Sequence, residues 1–216
     1  MSSAMALPVL PVGEGSRFDL NLEKLAQTQV SIYVVRSVEQ ELVVEYFFAA
    51  SPTVVPVEMW QQYVLGQNNA GTFKVRAGYF YVATLKAPEI IPPEYLCQPG
   101  AFVLEDFLFA KPTQISAFRL AMETVIIPFS PTPIIARHFR QVRDEHTIEY
   151  WISEEIKPIS LVKLLSKGKQ TEHNYQLALR GLIKNAKPKI DLTKVVPLSS
   201  EGKQILSEPK TRILTY

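Results

Sequence analysis

The chain of 216 residues is poor in the residue types on which many specialised sites and cross-links depend. It holds three histidines and a single cysteine, Cys97, so no disulfide can form within the chain. Thiolate-rich zinc sites are excluded for the same reason. Because disulfides belong to oxidising compartments, their absence favours a reducing, cytoplasmic location. We predict no cofactor and no bound metal.

Signals for export and for membrane insertion are also missing. Residues 1–13 contain no basic side chain, whereas a secretory signal begins with one. The longest uncharged apolar runs, 46–57 and 124–136, contain proline and are shorter than the ~20 residues of a membrane helix. We therefore expect a soluble intracellular protein with no membrane partner.

Fingerprints of common enzyme classes are absent as well. No glycine-rich loop ends in Gly-Lys-Ser/Thr, and no Gly-x-Ser-x-Gly turn is found. The pair Gly13 and Gly15 lacks the third glycine of a dinucleotide-binding turn. These absences favour a protein that is not an enzyme.

The hydrophobic and β-branched content that is present predicts a folded, strand-rich unit. Hydrophobic residues make up 47% of the chain and charged residues 20%, an ordinary balance for a globular protein. Runs rich in Val, Ile, Tyr and Phe predict strands at 29–36, 41–49, 72–85, 101–109, 123–129, 134–143 and 147–153. Apolar residues at helical spacing predict helices at 56–65, 113–122, 159–167 and 171–187.

This mixed order, without regular alternation of strand and helix, predicts an α+β fold. We expect an extended apolar arm at 1–16, a β-rich α+β body with interspersed short helices at 17–157, and a small basic helical C-terminal subdomain at 158–216. The arm presents four apolar side chains between prolines: Leu7, Val9, Leu10 and Val12. It must lie either on its own domain or on a neighbouring subunit.

Charge is distributed unevenly along the chain. Residues 1–155 hold 11 basic and 17 acidic side chains, whereas residues 156–195 hold 9 basic and 2 acidic ones. In the predicted helix 171–187, one face collects His173, Gln176, Arg180, Lys184 and Lys187, and it is flanked by Lys163, Lys167, Lys169, Lys189 and Lys194. Such a stripe can bind an acidic protein surface or nucleic-acid phosphates. The plainer interpretation is a solvated face, or one that pairs with the acidic body.

A second charged segment, residues 137–146 followed by Glu149, combines histidines with carboxylates. Such groups can hold a metal or move a proton. Adjacent side chains on a strand point to opposite faces, however, so Asp144, Glu145 and His146 cannot all converge in an extended chain. We interpret the segment chiefly as a charged hairpin tip.

A divalent-metal nuclease is a further alternative. Asp144, Glu155 and Lys157 have the acid…Glu-x-Lys form in which two carboxylates hold a metal and the lysine orients the attacking water. The Glu-x-Lys spacing is common by chance, and Arg143 stands where a proline usually precedes the aspartate.

The sequence favours a non-enzymatic structural or assembly subunit of a larger complex, with a protein partner or self-association into an oligomer. It would bind through the arm and the basic helix. The alternatives are a nucleic-acid-binding factor that uses the basic helix, and the nuclease.

Overall fold

The computed structural model describes residues 10–23, 27–38, 41–51, 57–67, 73–96, 118–127, 132–143, 146–168 and 174–207. These residues form eleven strands and little helix. The strands are Gly15–Leu22 (β1), Gln27–Val38 (β2), Glu41–Phe48 (β3), Met59–Gln67 (β4), Phe73–Val82 (β5), Glu89–Ile91 (β6), Phe118–Val125 (β7), Ile134–Arg143 (β8), His146–Ile152 (β9), Leu161–Gly168 (β10) and Tyr175–Ile183 (β11). Short helices occupy Pro93–Leu96 (α1) and Ser200–Ser207 (α2), with a 3-10 turn at Leu192–Lys194.

All eleven strands belong to one antiparallel sheet in the order β6-β5-β4-β3-β2-β1-β11-β10-β9-β8-β7. Each half of the sheet is a meander, because strands that follow one another in sequence are neighbours in space. The halves join where β1 pairs with β11, from Gly15 opposite Ile183 to Leu22 opposite Tyr175. The first and last strands therefore lie together at the centre of the sheet.

The predicted α+β fold with a helical C-terminal subdomain is wrong, because this nearly all-strand sheet replaces it. Residues predicted as helices at 56–65, 159–167 and 171–187 lie largely in β4, β10 and β11. In β11 the cause is a bulge: the register shifts between Arg17 and Phe18 of β1, which leaves Arg180 as an extra residue. The bulge returns Leu182 to the face of Leu179, and this spacing of three imitates a helix.

The strands predicted at 29–36, 41–49, 72–85, 134–143 and 147–153 are confirmed, because most of their residues lie in β2, β3, β5, β8 and β9. Of the predicted helix at 113–122, only 118–122 is described, and it is extended in β7. The predicted strand at 101–109 lies outside the described residues. The division of the chain at 16 and 157 stays a prediction.

The sheet has one apolar face, called here the core face. Residues directly opposite each other in neighbouring strands share a face, so Phe18, Val30 and Phe48 follow one another across β1, β2 and β3. All three side chains are buried. Ile156 and Ile159 from the β9–β10 loop and Leu206 from α2 complete this core. The opposite side is called the polar face.

The chain after β11 crosses the polar face, and residues 184–198 are called here the crossing segment. The backbone N–H of Ala186 donates to Gly13 O at 3.0 Å, and that of Lys189 donates to the β3 residue Glu45. At the far edge Val196 forms a parallel bridge with Glu89 of β6. The chain then turns onto the core face, where α2 packs. No helix among the described residues is long and apolar enough to span a membrane.

Candidate functional site

A histidine lies between two glutamates on the polar face, near the edge strand β7. His138 Nδ1 is 2.8 Å from Oε1 of Glu123, and its Nε2 is 3.0 Å from Oε2 of Glu149. The three residues belong to β7, β8 and β9. Antiparallel pairing of these three strands brings together side chains that are 11 and 15 positions apart in sequence.

Neighbouring side chains hold this arrangement in place. Trp151 stacks on the His138 ring at 4.0 Å and 14°, and its Nε1 donates to Glu123 Oε2 at 2.7 Å. The Arg140 guanidinium donates twice to Glu149 Oε1, at 3.0 and 2.7 Å. We call Glu123, His138, Arg140, Glu149 and Trp151 the histidine cluster. Its bonds connect β7, β8 and β9 through side chains as well as through backbone pairing.

The surroundings of both glutamates favour their ionised forms. The hydrogen bond from Trp151 is the main cause that lowers the pKa of Glu123, with His138 adding to it and partial burial opposing it. For Glu149, burial raises the pKa, but the hydrogen bonds from Arg140 and His138 outweigh it and the net pKa is lowered. His138 therefore has a carboxylate oxygen within hydrogen-bonding distance of each ring nitrogen.

The histidine cluster links its three strands through side-chain hydrogen bonds. The two carboxylates lie against opposite nitrogens of one ring, so they do not converge on a common point. In keeping with this, no group of three or more His, Cys, Asp or Glu within the described ranges could hold a metal ion. The hairpin tip itself, Asp144 and Glu145, lies outside those ranges.

A row of aromatic rings crosses the polar face on the other half of the sheet. Phe47, Trp60 and Tyr81 are directly opposite one another on β3, β4 and β5. Ring centroids are 5.0 Å apart for Phe47 and Trp60, and 6.0 Å apart for Trp60 and Tyr81. Lys189 of the crossing segment places its Nζ 5.3 Å from the Trp60 centroid and 5.7 Å from that of Tyr81. We call these three rings the aromatic row.

A third feature is a set of exposed apolar side chains at the β7–β8 end of the sheet, called here the apolar margin. Its members are between 37% and 81% exposed: Phe118, Leu120, Met122, Ile126 and Ile135. Every residue of β7 is exposed or half-exposed. Within the described residues, β7 pairs only with β8, so it forms one edge of the sheet.

The predicted basic stripe does not exist as a helical face, because its residues lie on a strand and in the crossing segment. Gln176 and Arg180 belong to β11, and Arg180 Nη1 lies 2.8 Å from Asp19 Oδ2. That ion pair joins the basic segment to the acidic body of the same chain. Lys184 and Lys187 are exposed on the crossing segment.

The flanking lysines are dispersed as well. Lys163 Nζ lies 4.6 Å from the Trp151 ring centroid, beside the histidine cluster, and Lys167 is exposed near the end of β10. His173 and Lys169 lie outside the described residues. The binding role assigned to the basic residues stays a prediction, but a helix cannot carry it.

The proposed nuclease residues are only partly described. Asp144 lies outside the described residues, and Glu155 is exposed in the β9–β10 loop. The backbone oxygen of Lys157 accepts a hydrogen bond from Ser16 Oγ at 3.0 Å. Their convergence on a metal stays a prediction.

The apolar arm is also described only in part, since Leu7 and Val9 lie outside the described residues. Leu10 is buried in the core of its own chain, and its N–H donates to Ser37 Oγ at 3.3 Å. Val12, by contrast, is 61% exposed. The described end of the arm therefore packs on its own sheet at Leu10.

Sequence reasoning missed Glu123, Trp151 and the aromatic row as site residues. The only signal for Glu123 is its position within a run that can be read as a strand. The aromatic row had a stronger signal, because Phe47 and Tyr81 lie in runs rich in aromatic and β-branched residues that predict strands. The helix assigned to 56–65 concealed it by placing Trp60 on a buried helical stripe.

No known protein family matches this sequence, and no curated protein matches it. Among solved structures, the chain is similar to a structure of PNGF-II with a TM-score of 0.43 and 7% identity. That alignment covers 93% of this chain and 34% of the PNGF-II chain, so the chain spans about a third of its length.

A putative outer membrane lipoprotein-sorting protein domain from Vibrio parahaemolyticus aligns with a TM-score of 0.38 and 10% identity. The alignment covers 82% of this chain and 88% of that domain. Since both TM-scores are below 0.5, neither similarity carries an argument about function.

Proposed function

We propose that the protein is a non-enzymatic assembly subunit that associates with a second copy of itself through the apolar margin. The observation that carries this proposal is the exposure of large apolar side chains at one end of the sheet, where Met122 and Ile135 lie on the same face. Isolated exposed apolar residues are ordinary on protein surfaces, but clustered ones mark interaction sites. The proposed contact differs from the arm and the basic helix expected from the sequence.

The register of the sheet supports this interpretation. Met122 lies opposite Arg137, and Arg137 lies opposite Ile152, so Met122 and Ile152 share the core face. Ile152 is buried, whereas Met122 is 50% exposed and Ile135, on the same face, is 58% exposed. The core face therefore extends beyond its buried residues, and its apolar side chains are exposed to solvent at Met122 and Ile135. A partner that covers this end would extend the core across the interface.

Charges at the margin suit a twofold partner. A twofold interface brings one surface patch against itself, so the patch must be self-complementary. Arg119 is exposed on β7, and the Glu123 side chain on the same strand is 43% exposed. Both signs of charge therefore flank the apolar residues. The histidine cluster holds β7 in place through Glu123, which presents the margin in a fixed geometry.

Light scattering on the purified protein tests this proposal. We expect the unmodified chain to be a dimer, or a larger oligomer of fixed stoichiometry, and the double variant Met122→Ser, Ile135→Ser to be a monomer. Leu182→Ser is the matched control, because Leu182 is 58% exposed on β11, away from the margin. It should leave the mass unchanged, and circular dichroism should report the same fold for all three proteins.

Two results would contradict the proposal. If the unmodified chain stayed monomeric at high concentration, self-association would be excluded. The apolar margin would then be assigned to the binding of a different protein. An oligomer that the double variant leaves intact would place the interface elsewhere on the molecule.

A further inference from the structure

We propose that the aromatic row and the lysines of the crossing segment form a binding site for single-stranded nucleic acid. This site lies on the polar face of β3–β5 and is independent of the assembly proposed above. It unites two features that such ligands require: ring faces on which bases stack, and cations that contact phosphates.

The stacking half of the site is the aromatic row. Its rings are 5.0 and 6.0 Å apart and tilted by 33° and 39°, so each presents part of its surface at a different angle. All three side chains are half-buried, which leaves ring surface accessible while the sheet fixes the ring positions. Stacking on such rings contributes about 1–3 kcal/mol per base and is tolerant of base identity.

The phosphate-binding half is the crossing segment. Lys184, Lys187, Lys189 and Lys194 are all exposed, and they outnumber the single acid, Asp191. Asp191 Oδ2 lies 3.2 Å from Lys194 Nζ, so it offsets only that lysine. Arg17 extends the positive charge along the line of the aromatic row, because Arg17 lies opposite Ser31, and Ser31 lies opposite Phe47.

Lys189 connects the two halves. Its backbone N–H is fixed by Glu45 Oε1 at 2.8 Å, whereas its exposed side chain extends over Trp60 and Tyr81. The ammonium group covers ring faces that a base would occupy. Rotation of this flexible side chain would move the charge from the rings to a phosphate without moving the backbone.

The combination of features selects the ligand class. A neutral sugar would use the rings but not the excess of lysines. An acidic peptide would use the lysines but has no need for a row of rings. Single-stranded nucleic acid uses both, whereas a duplex keeps its bases stacked on one another and offers only phosphates.

Fluorescence anisotropy with a labelled single-stranded oligothymidylate tests the site, with a duplex of equal length as the comparison. We expect binding that weakens steeply with salt and prefers the single strand. The double variant Lys187→Glu, Lys189→Glu should bind about tenfold more weakly or worse, because two phosphate contacts become repulsive. Lys203→Glu is the matched control, since Lys203 is exposed on α2, away from the polar face, and it should bind normally.

Tryptophan emission locates the ligand. The chain has two tryptophans, of which Trp60 belongs to the row and Trp151 to the histidine cluster. Bases stacked on the row should quench Trp60. The variant Trp60→Phe keeps an aromatic ring there, so it should retain binding but lose most of the quenching.

Several outcomes would overturn the proposal. They are no binding at low salt, equal affinity for the duplex without quenching, or binding unchanged by the lysine double variant. Quenching by a neutral oligosaccharide in place of the oligothymidylate would assign the row to sugars and would also overturn it.

Discussion

The Glu45 carboxylate accepts the backbone N–H of Lys189 at 2.8 Å, although the two residues are 144 positions apart. It also accepts the N–H of Ile190 at 3.0 Å, the amide of Gln62 at 3.1 Å and the hydroxyl of Tyr33. Glu45 is fully buried. One carboxylate therefore attaches the crossing segment to the middle of β2–β4. This attachment places the Lys189 side chain over the aromatic row.

Removing this carboxylate should loosen the crossing segment. Glu45→Ala leaves the N–H groups of Lys189 and Ile190 without their acceptor, so we expect the free energy of unfolding to fall by about 2–4 kcal/mol. Glu58→Ala is the control, because Glu58 is exposed at the start of β4. Urea unfolding measures the stability, and hydrogen exchange at residues 189 and 190 should accelerate. Equal stability of the two variants would show that Glu45 is not the anchor.

Acid should weaken the histidine cluster. The pKa values of Glu123 and Glu149 are lowered in the folded protein, so their contribution to stability is present above about pH 4.5 and is lost as the pH falls through their folded values. The Glu149→Gln variant lacks the contribution of Glu149 to this titration and should show a shallower loss of stability on acidification. The exposed Glu154 provides the control, because Glu154→Gln should keep the slope of the unmodified chain. Urea midpoints measured from neutral to acid pH provide the test. If the histidine cluster did not contribute to stability, the midpoints of Glu149→Gln and of the unmodified chain would fall with the same slope.

Alkali should act through two buried phenols. Burial is the main cause that raises the pKa of Tyr33, with the hydrogen bond to Glu45 adding to it, and burial raises the pKa of Tyr175. A raised folded pKa gives stability that is present below the unfolded value, about 10, and is lost as the pH rises above it. Tyr33→Phe and Tyr175→Phe should therefore each flatten the decline of stability above pH 10. The tyrosinate absorbance that appears only on unfolding should be smaller in each variant than in the unmodified chain.

Strands with dense β-branched and aromatic residues could be predicted from the sequence, and β2, β3, β8 and β9 are examples. The strands β10 and β11 could not, because Leu, Lys and Ala favour helices and a bulge at Arg180 disturbs the alternation. Local propensity is a weak guide once a strand has partners on both sides. The central pairing of β1 with β11 supplies such partners, and it joins the first strand to the last.

The candidate sites were harder to predict than the strands. His138 and Glu149 were visible as a charged group, but Glu123 reaches them only through the register of β7 on β8. Lys189 was visible as one basic residue among many, yet its place over Trp60 follows from a crossing that no local pattern encodes. These contacts therefore depend on the long-range pairing of strands and segments, which no local sequence pattern predicts.

The docking of α2 on the core face depends on a glycine. A Cβ placed on Gly202 would lie 1.9 Å from Glu89 Oε2 and 2.9 Å from the Phe80 ring. Glu89 is itself buried and accepts the N–H of Ser199 at 2.9 Å, so its carboxylate cannot easily move aside. Gly202 is therefore required by close approach, not by its backbone angles.

We expect Gly202→Ala to destabilise the protein by about 1–3 kcal/mol through overpacking. Helix propensity alone predicts the opposite sign, a gain of about 1 kcal/mol, so the direction of the change separates the two effects. Gly181→Ala is the matched control, because a Cβ at that position of β11 meets nothing within 4 Å. Chemical unfolding of both variants provides the measurement. A stabilised Gly202→Ala would mean that α2 does not pack closely against Glu89 and Phe80.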